Sequence, residues 1–565
     1  MTSRKRRILL FAFLLAAIMG WRPERRVPPV SAQLAPPEQQ VLTVANSEPV
    51  YLDPQRASFA SDIAIVKQMY RGLLYIDKTD PNRVIPAAAM FVPSTANGGV
   101  SADGKTYTLH LRSNLTWQDG SPLTASDFEY SIKRLFDPHL VADYASFYFN
   151  IVGSEAYYRS LGTLANPRNP SSDDLAALRN AIGLKAVDDL TLVITLQQPQ
   201  PSFATLLTLW PADPVQKVQI DRFGDHAFAE AANIVGDGPF KLTEWSHMRQ
   251  LTLEQNGTWW GDDRPILTKI VMQNLGDTEI LPGYESGQLD LADIPLNFTD
   301  VVRNDPVLSA QNVRADQQTT FGLEFNTSRP PFDDVHVRRG FSEALDRDAF
   351  IKNVRKGIGT PAYSWLPPGV PGFDPQLGQQ YGFDPDKARA DLTASAYGTS
   401  LPPISLMYAG GGSAQLQGEF IQTQLQRNLG VTITLQPLES AAYRVRYQQN
   451  DFQMVVGGWG SDYADPEDWI PDLFGTGGGN NKTQYSNPRV DALIKQAEAE
   501  IDNDRRIDDY RQAHQMIVDD MPLVFLFYRQ SNLLVRPYVT GLILTGLDGI
   551  HGDWFWTNIA ISDAR

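Results

Sequence analysis

Residues 99–106 read Gly-Val-Ser-Ala-Asp-Gly-Lys-Thr, which satisfies the phosphate-loop pattern letter for letter. A nucleotide site of that kind needs the glycine loop to open a helix whose N-terminal amides hold phosphate. Here Lys105 and Thr106 run instead into an alternating segment, 107–112, so Asp103-Gly104 reads as a hairpin turn. The seven histidines, at 110, 139, 226, 247, 336, 514 and 551, never fall within five residues of one another, and no helix carries a His pair for a metal. Cysteine is absent, which removes thiol nucleophiles, disulfides, Cys-ligated zinc and iron–sulfur clusters together. There is no Gly-x-Ser-x-Gly elbow, and 65 acidic residues are too many for one carboxylate pair to stand out as acid and base. No catalytic residue, metal ligand or cofactor is therefore assigned. Asn256-Gly257-Thr258 matches a glycosylation acceptor but sits beside the Trp259-Trp260-Gly261 turn, and it is set aside.

Binding chemistry is concentrated elsewhere. Residues 457–466 follow an apolar strand and join Gly457, Gly458, Trp459 and Gly460 to Ser461, Asp462, Tyr463, Ala464, Asp465 and Pro466. Flexible backbone, a large aromatic and two acids suit a ligand-contact loop; the bland reading is a solvated turn with one anchoring Trp. The chain also carries 11 Trp and 21 Tyr, amphipathic surfaces suited to a cleft, although core packing accounts for most of them. A formal charge of −16 argues against a nonspecific nucleic-acid binder.

The elements that must position these residues are mixed. Residues 41–44 form a short apolar strand, and 61–74 read as a helix because Ile63, Val66, Met69, Tyr70, Leu73 and Leu74 recur at three- and four-residue steps. Tyr107, Leu109 and Leu111 alternate with polar neighbours as a half-buried strand, and Thr124 to Asp127 opens a helix carrying Phe128, Ile132 and Leu135. Further helices are predicted over 337–356, 385–394, 414–428 and 489–519. Strands are predicted at 191–196, 321–326, 404–408, 431–437, 452–457 and 523–528. Strands alternating with helices give an α/β fold, and 565 residues give several domains.

At the N-terminus, Arg4, Lys5, Arg6 and Arg7 precede an apolar run, 8–19, and a Pro-rich stretch ending Val30-Ser31-Ala32, the pattern of an export signal with cleavage after Ala32. Twelve apolar residues are few for a ~30 Å hydrocarbon core, so an uncleaved signal acting as an anchor is the alternative. Removing residues 1–32 takes away seven basic residues and one acidic one and leaves a net charge of −22, which suits a soluble exported protein.

The order of several segments resembles the solute-binding proteins of ATP-driven (ABC) importers, family 5, which include oligopeptide- and dipeptide-binding receptors. The resemblance runs through Leu52-Asp53-Pro54, 107–112 with Trp117 and 124–128, then 232–242 with Trp245 and Trp260-Gly261. It continues at 287–290, Phe325-Asn326 with 331–335, 344–347, and 359–363 with Pro367-Pro368. It implies an α/β, two-lobe periplasmic-binding-protein-like fold hinged around a central cleft, with an extra domain inserted in lobe I. Lobe I would comprise 33–74, 187–313 and 533–565, the inserted domain 75–186 and lobe II 314–532. The chain would cross between lobes at 317–325 and 528–535.

The resemblance further implies a monomeric, periplasmic or otherwise extracytoplasmic receptor that does no covalent chemistry. It would bind a short peptide and deliver it to the transmembrane subunits of an ABC permease driven by cytoplasmic ATPase subunits. Asp462 matches the position that pairs with a peptide's α-ammonium group, with Trp459, Gly458, Gly460 and Tyr463 around it; otherwise Asp462 is a turn or capping carboxylate. Peptide backbone would be held by main-chain groups at 58–60, from Ser58 to Ala60, and at 319–321, including Thr320 and Phe321, with Tyr144 as a cleft aromatic. Some relatives carry a basic residue three positions before the Trp, where this chain has Val456. A non-peptide solute (an oligosaccharide, an opine-like conjugate or a metal chelate) is the second reading, and a secreted hydrolase the third.

Overall fold

The computed structural model describes residues 33–140, 142–162, 166–410 and 412–565; the export signal read at 1–32 lies outside the described residues. Eleven strands share one sheet. Its order runs Ile433–Leu438, Ile404–Ala409, Met454–Gly460, Asn312–Phe325, Leu523–Val535, Leu291–Asp293, Val41–Ala45, Lys269–Gln273, Gln250–Gln255, Phe240–Ser246, with Thr360–Pro361 added against Leu523–Val535. Two strands of 14 and 13 residues lie at its centre, each long enough to serve both halves of the molecule. They pair antiparallel, Asn312 to Asp316 against Leu534 to Gln530 and Thr320 to Glu324 against Tyr528 to Leu523, with the register broken between Asp316 and Thr320. On one side of the break Leu291–Asp293 joins the pair, and on the other Met454–Gly460 does. The segments 317–325 and 528–535, read as crossings, lie in these two strands.

Each half has its own core. Leu42, Val44, Leu253 and Ile270 of the first half are fully buried in a cluster that extends to Tyr107, Leu192 and Ile194 of a separate three-stranded sheet, Thr106–His110, Thr191–Thr195 and Leu184–Asp188. In the second half the sheet is covered on both faces. Leu323, Phe325, Leu406 and Val524 face one cluster, and Leu523 and Phe525 face another with Trp365, Trp469 and Tyr510. Successive residues of a strand alternate between faces, so two clusters on one strand are what a doubly covered sheet requires.

Local sequence accounts for most boundaries, including those that differ from the periodicity reading. Thr124 and Asp127 form a reciprocal capping box at the start of Ala125–Leu135. Gly104 adopts a left-handed φ of 71° in a turn closed by its N–H on the Ser101 carbonyl, and Thr106 enters a strand, so no phosphate loop forms. The helix expected over 61–74 spans Ala60–Met69. It stops because Gly238 N donates to the Met69 carbonyl and Asp237 accepts from Arg71 N; Gly238 lies so close that any side chain there would strike the Met69 backbone. The helix expected over 337–356 is two, Val335–Glu343 and Arg347–Asn353, because Asp346 caps the second. Likewise Asp502 divides 489–519 into Pro488–Ala499 and Asn503–Asp520. Among the described residues no helix is long and apolar enough to cross a membrane.

Candidate functional site

The loop 457–466 leaves the sheet at the register break. Strand Met454–Gly460 pairs with Asn312–Phe325, placing Trp459 opposite Thr320 and Gly458 opposite Phe321. Gly458 is needed there, since a Cβ would come within 2.6 Å of the Thr320 carbonyl oxygen. Beyond Gly460, Ser461 N donates to the Gln318 carbonyl at 2.8 Å, inside the break between the two long strands. Trp469 Nε1 donates to Ser461 Oγ at 2.8 Å, and Asp462 N donates to Asp468 Oδ2 at 2.9 Å. The backbone of Asp462 is thus fixed from two sides, which leaves its carboxylate to face outward from the strand ends.

That carboxylate meets the first half of the molecule. Tyr144 Oη donates to Asp462 Oδ1 at 3.0 Å. Tyr144 packs edge-on against Trp210, centroids 4.8 Å apart, and against Phe147, and Phe147 in turn meets Tyr463 edge-on. Tyr463, 5% exposed, belongs to the first half's core cluster although it follows a strand of the second half. Burial pushes the Asp462 carboxyl up to about 7, against the opposing effects of the Tyr144 hydrogen bond and the Lys67 ammonium. Lys67 is itself spent on Asp553 at 3.0 Å and lies 3.8 Å from the centre of a Trp554 ring. Burial and the neighbouring Asp462 charge also hold the Asp468 carboxyl well above the carboxylate range. The arrangement is an acid walled by aromatics and short of cationic partners, which can receive a cation.

A second acid joins the halves. Glu467 accepts from Gln200 Nε2 at 2.6 Å and from the Ser202 hydroxyl, with Arg506 Nη1 3.6 Å away. Arg506 is already paired with Asp465. Burial first, then the Asp465 charge, pushes the Glu467 carboxyl up to about 7. Glu467 and Asp468 were missed in the sequence. The available signal was the acidic run after Pro466, in the same loop.

The other sequence candidates separate. Ser58 is half-buried and Ala60 exposed, directly after Ala57, whose carbonyl accepts from Trp210 Nε1 at 2.9 Å, so this segment adjoins the Tyr144 side. Thr320 and Phe321 lie in an interior strand paired on both sides, to Trp459 and Gly458 and to Tyr528 and Phe527. Their main-chain groups belong to the sheet rather than to a free edge, and the Phe321 ring stacks on Phe527 in the core, centroids 5.0 Å apart. Val456 packs against the core cluster of Leu323, Phe325 and Met454, so a basic residue at that position would be buried among apolar groups here.

Residues 91–481 match the model of the bacterial extracellular solute-binding proteins, family 5. The dipeptide-binding protein DppE of Bacillus subtilis is 30% identical over 89% of this chain and 90% of its own length. The oligopeptide-binding protein OppA of the same organism is 29% identical over the same shares. Among solved structures, the murein tripeptide binding protein MppA of Escherichia coli superposes with a TM-score of 0.76, covering 94% of this chain and 99% of its own, at 24% identity; that likeness is one of fold.

Proposed function

The chain belongs to family 5 of the bacterial extracellular solute-binding proteins, and from that premise we propose that it is an extracytoplasmic receptor that closes on a short peptide and passes it to an ABC permease. The observation that carries this reading is Asp462: a carboxylate fixed at the loop after strand Met454–Gly460, enclosed by Tyr144 and its aromatic neighbours, with the nearby Lys67 already paired. A peptide's α-ammonium group offers the opposite charge and the hydrogen-bond donors that this carboxylate can accept. Its relatives DppE, a dipeptide-binding protein, and OppA, an oligopeptide-binding protein, support the solute class. In this reading lobe I is 33–74, 187–313 and 533–565, the inserted domain 75–186 and lobe II 314–532, and Tyr144 and Asp462 meet when the lobes approach. The receptor binds and releases its ligand unchanged.

Native mass spectrometry of the freshly purified protein is the test. A co-purified ligand of peptide mass is the expected result. A sugar or chelate mass would overturn the peptide reading, and turnover of peptides by the purified protein would overturn the receptor reading.

A further inference from the structure

A group of cations gathers where the two halves meet, on the side of the long strands away from the Asp462 loop. Arg314 stands cross-strand from Asn532, and both share a strand face with Leu534, which packs in the cluster of Ala45, Tyr284 and Val302. Val313 and Leu533 point the other way, into the cluster that includes Tyr463. Arg314 Nη1 donates to the Gly357 carbonyl at 3.3 Å, and Arg303, in the last turn of helix Thr299–Asn304 of the first half, donates to the Lys356 carbonyl. Arg355, just past helix Arg347–Asn353 of the second half, donates from Nε to the Ile358 carbonyl at 3.4 Å and lies 4.5 Å from the centre of the Phe527 ring. Three guanidinium groups from both halves thus converge on three successive carbonyls. Lys356 and Gly357 turn the backbone there, both in the left-handed region at φ 56° and 80°.

Charge is not balanced at this junction. Of Arg303, Arg314, Arg355, Lys356 and Arg529, the first and fourth share one carboxylate, Asp300, at 2.8 and 3.7 Å; the other three make no ion pair among the described residues. Asp316, on the Arg314 face, already accepts from Gln530 Nε2 at 2.7 Å. Burial and the Arg303 charge push the Arg314 guanidinium below its ordinary range, and burial and the Arg529 charge push Arg355 down to about 10. This local excess of positive charge stands in a chain of formal charge −16. A second defect adjoins it. Asn532 Oδ1 accepts from Asn312, but its Nδ2 is buried and has no hydrogen-bond partner among the described residues. Crowded guanidinium groups and an orphaned N–H are both satisfied by one kind of partner, an anion rich in acceptor oxygens. Arg303, Arg314 and Arg529 are exposed, so such an anion reaches them from solvent.

We propose that this junction is a phosphate site, where a phosphate group on a soluble compound or on a lipid headgroup is held by Arg303 and Arg314 of the first half together with Arg355 and Lys356 of the second. Guanidinium groups present paired N–H donors that match phosphate oxygens, and the lysine adds a point charge. Because the cations come from both halves, occupancy of the site is linked to the relative position of the halves, and through that to the Asp462 contact. The inference does not depend on which solute the Asp462 loop receives.

Two probes test this on the full exported chain. Calorimetry with inorganic phosphate and pyrophosphate, at constant ionic strength set with chloride, reads the free anion. Flotation with phosphatidylglycerol vesicles, against phosphatidylcholine vesicles as the neutral control, reads the headgroup. Saturable pyrophosphate binding identifies a soluble phosphate compound, and flotation with phosphatidylglycerol alone identifies a lipid. Whichever probe binds, Arg303→Gln and Arg314→Gln should each weaken it about tenfold or more. Both side chains are exposed, so melting of the variants without anion should match the wild type. Binding of neither probe to the wild type would overturn the site without any variant. Binding weakened less than tenfold in either variant would overturn it too, by placing the anion elsewhere on the surface.

Discussion

Acidification should weaken peptide binding steeply through Asp462. In the unliganded protein burial holds this carboxyl at about 7, whereas an ammonium group bound against it would draw it down to the ordinary carboxylate range or below. Binding therefore releases a proton below about pH 7, so affinity is full above that value and is lost as pH falls through it. A peptide α-amino group titrates near 7.7–8.0, which sets the alkaline limit. At about pH 7.4 roughly 0.7 of each group carries the required charge, so about half of encounters are competent; at about pH 5 the fraction is about one hundredth. Affinity for a free-amine peptide should fall roughly fiftyfold over that interval. Isothermal calorimetry in two buffers of different ionisation heat checks both parts, the affinity and the proton released. N-acetylated peptides should bind weakly at neutral pH and show little of this slope, and Asp462→Asn should flatten it. An equal slope in Asp462→Asn, or for acetylated peptides, would refute the assignment of the titration to Asp462.

Three further outcomes concern the scaffold around the site. Asp53→Asn should cost about 3–5 kcal/mol in chemical denaturation, because Arg134 donates to both Asp53 oxygens, at 2.9 and 2.7 Å, and would be left buried with a weakened partner set; a loss below about 1 kcal/mol would mean that Gln55 and Asp225 suffice. His514→Ala should cost about 2–4 kcal/mol, since His514 Nε2 accepts from Trp365 N and Leu366 N and both donors are buried. Burial pushes that imidazole down to about 3, so wild-type stability should fall as pH drops from about 6.5 toward 3, and denaturation across that range should show this contribution missing in the variant. Glu467→Ala removes the acceptor for Gln200 and Ser202, and small-angle scattering of the unliganded variant should give a larger radius of gyration than the wild type; an unchanged radius would show that Glu467 does not hold the halves together.

The sequence is most legible where chemistry is local. Thr124 with Asp127 forms the expected capping box, Asp103-Gly104 turns, and 457–466 is the loop that reaches across to Tyr144, all from residues a few positions apart. The overlong helices at 337–356 and 489–519 were also locally marked, by Asp346 and Asp502, but apolar periodicity continues through those caps and obscured them. Non-local facts were closed to pattern reading. Nothing in the spacing of Thr320 and Phe321 shows that a strand lies on each side of them, and that pairing turns an expected binding edge into sheet interior. Nor does spacing reveal which of many acids are buried: Glu324 and Glu467 read as ordinary solvated carboxylates until the register and the opposite half of the molecule are known.

Those buried acids also bear on how closure and ligand are linked. Asp462 and Glu467 meet residues of the first half in this structure, and for both, burial favours the protonated form. Bringing the halves together without ligand therefore costs either a proton taken up or a charge left without water. On the proposed reading the ligand's ammonium removes that cost at Asp462, so proton and peptide compete for one closed contact. Ser461, next to Asp462, is bonded to Gln318 within the break of the two long strands, which on that reading places the charge event beside the segment that would bend. Lowering pH should then compact the unliganded protein while weakening peptide binding, two effects that a rigid site with a solvated carboxylate would not couple. Scattering of the unliganded protein at about pH 5.5 and about pH 8 separates the cases, because the coupled contact predicts the smaller radius at the lower pH. A radius that is equal at both, or smaller at the higher pH, would sever closure from the state of these acids.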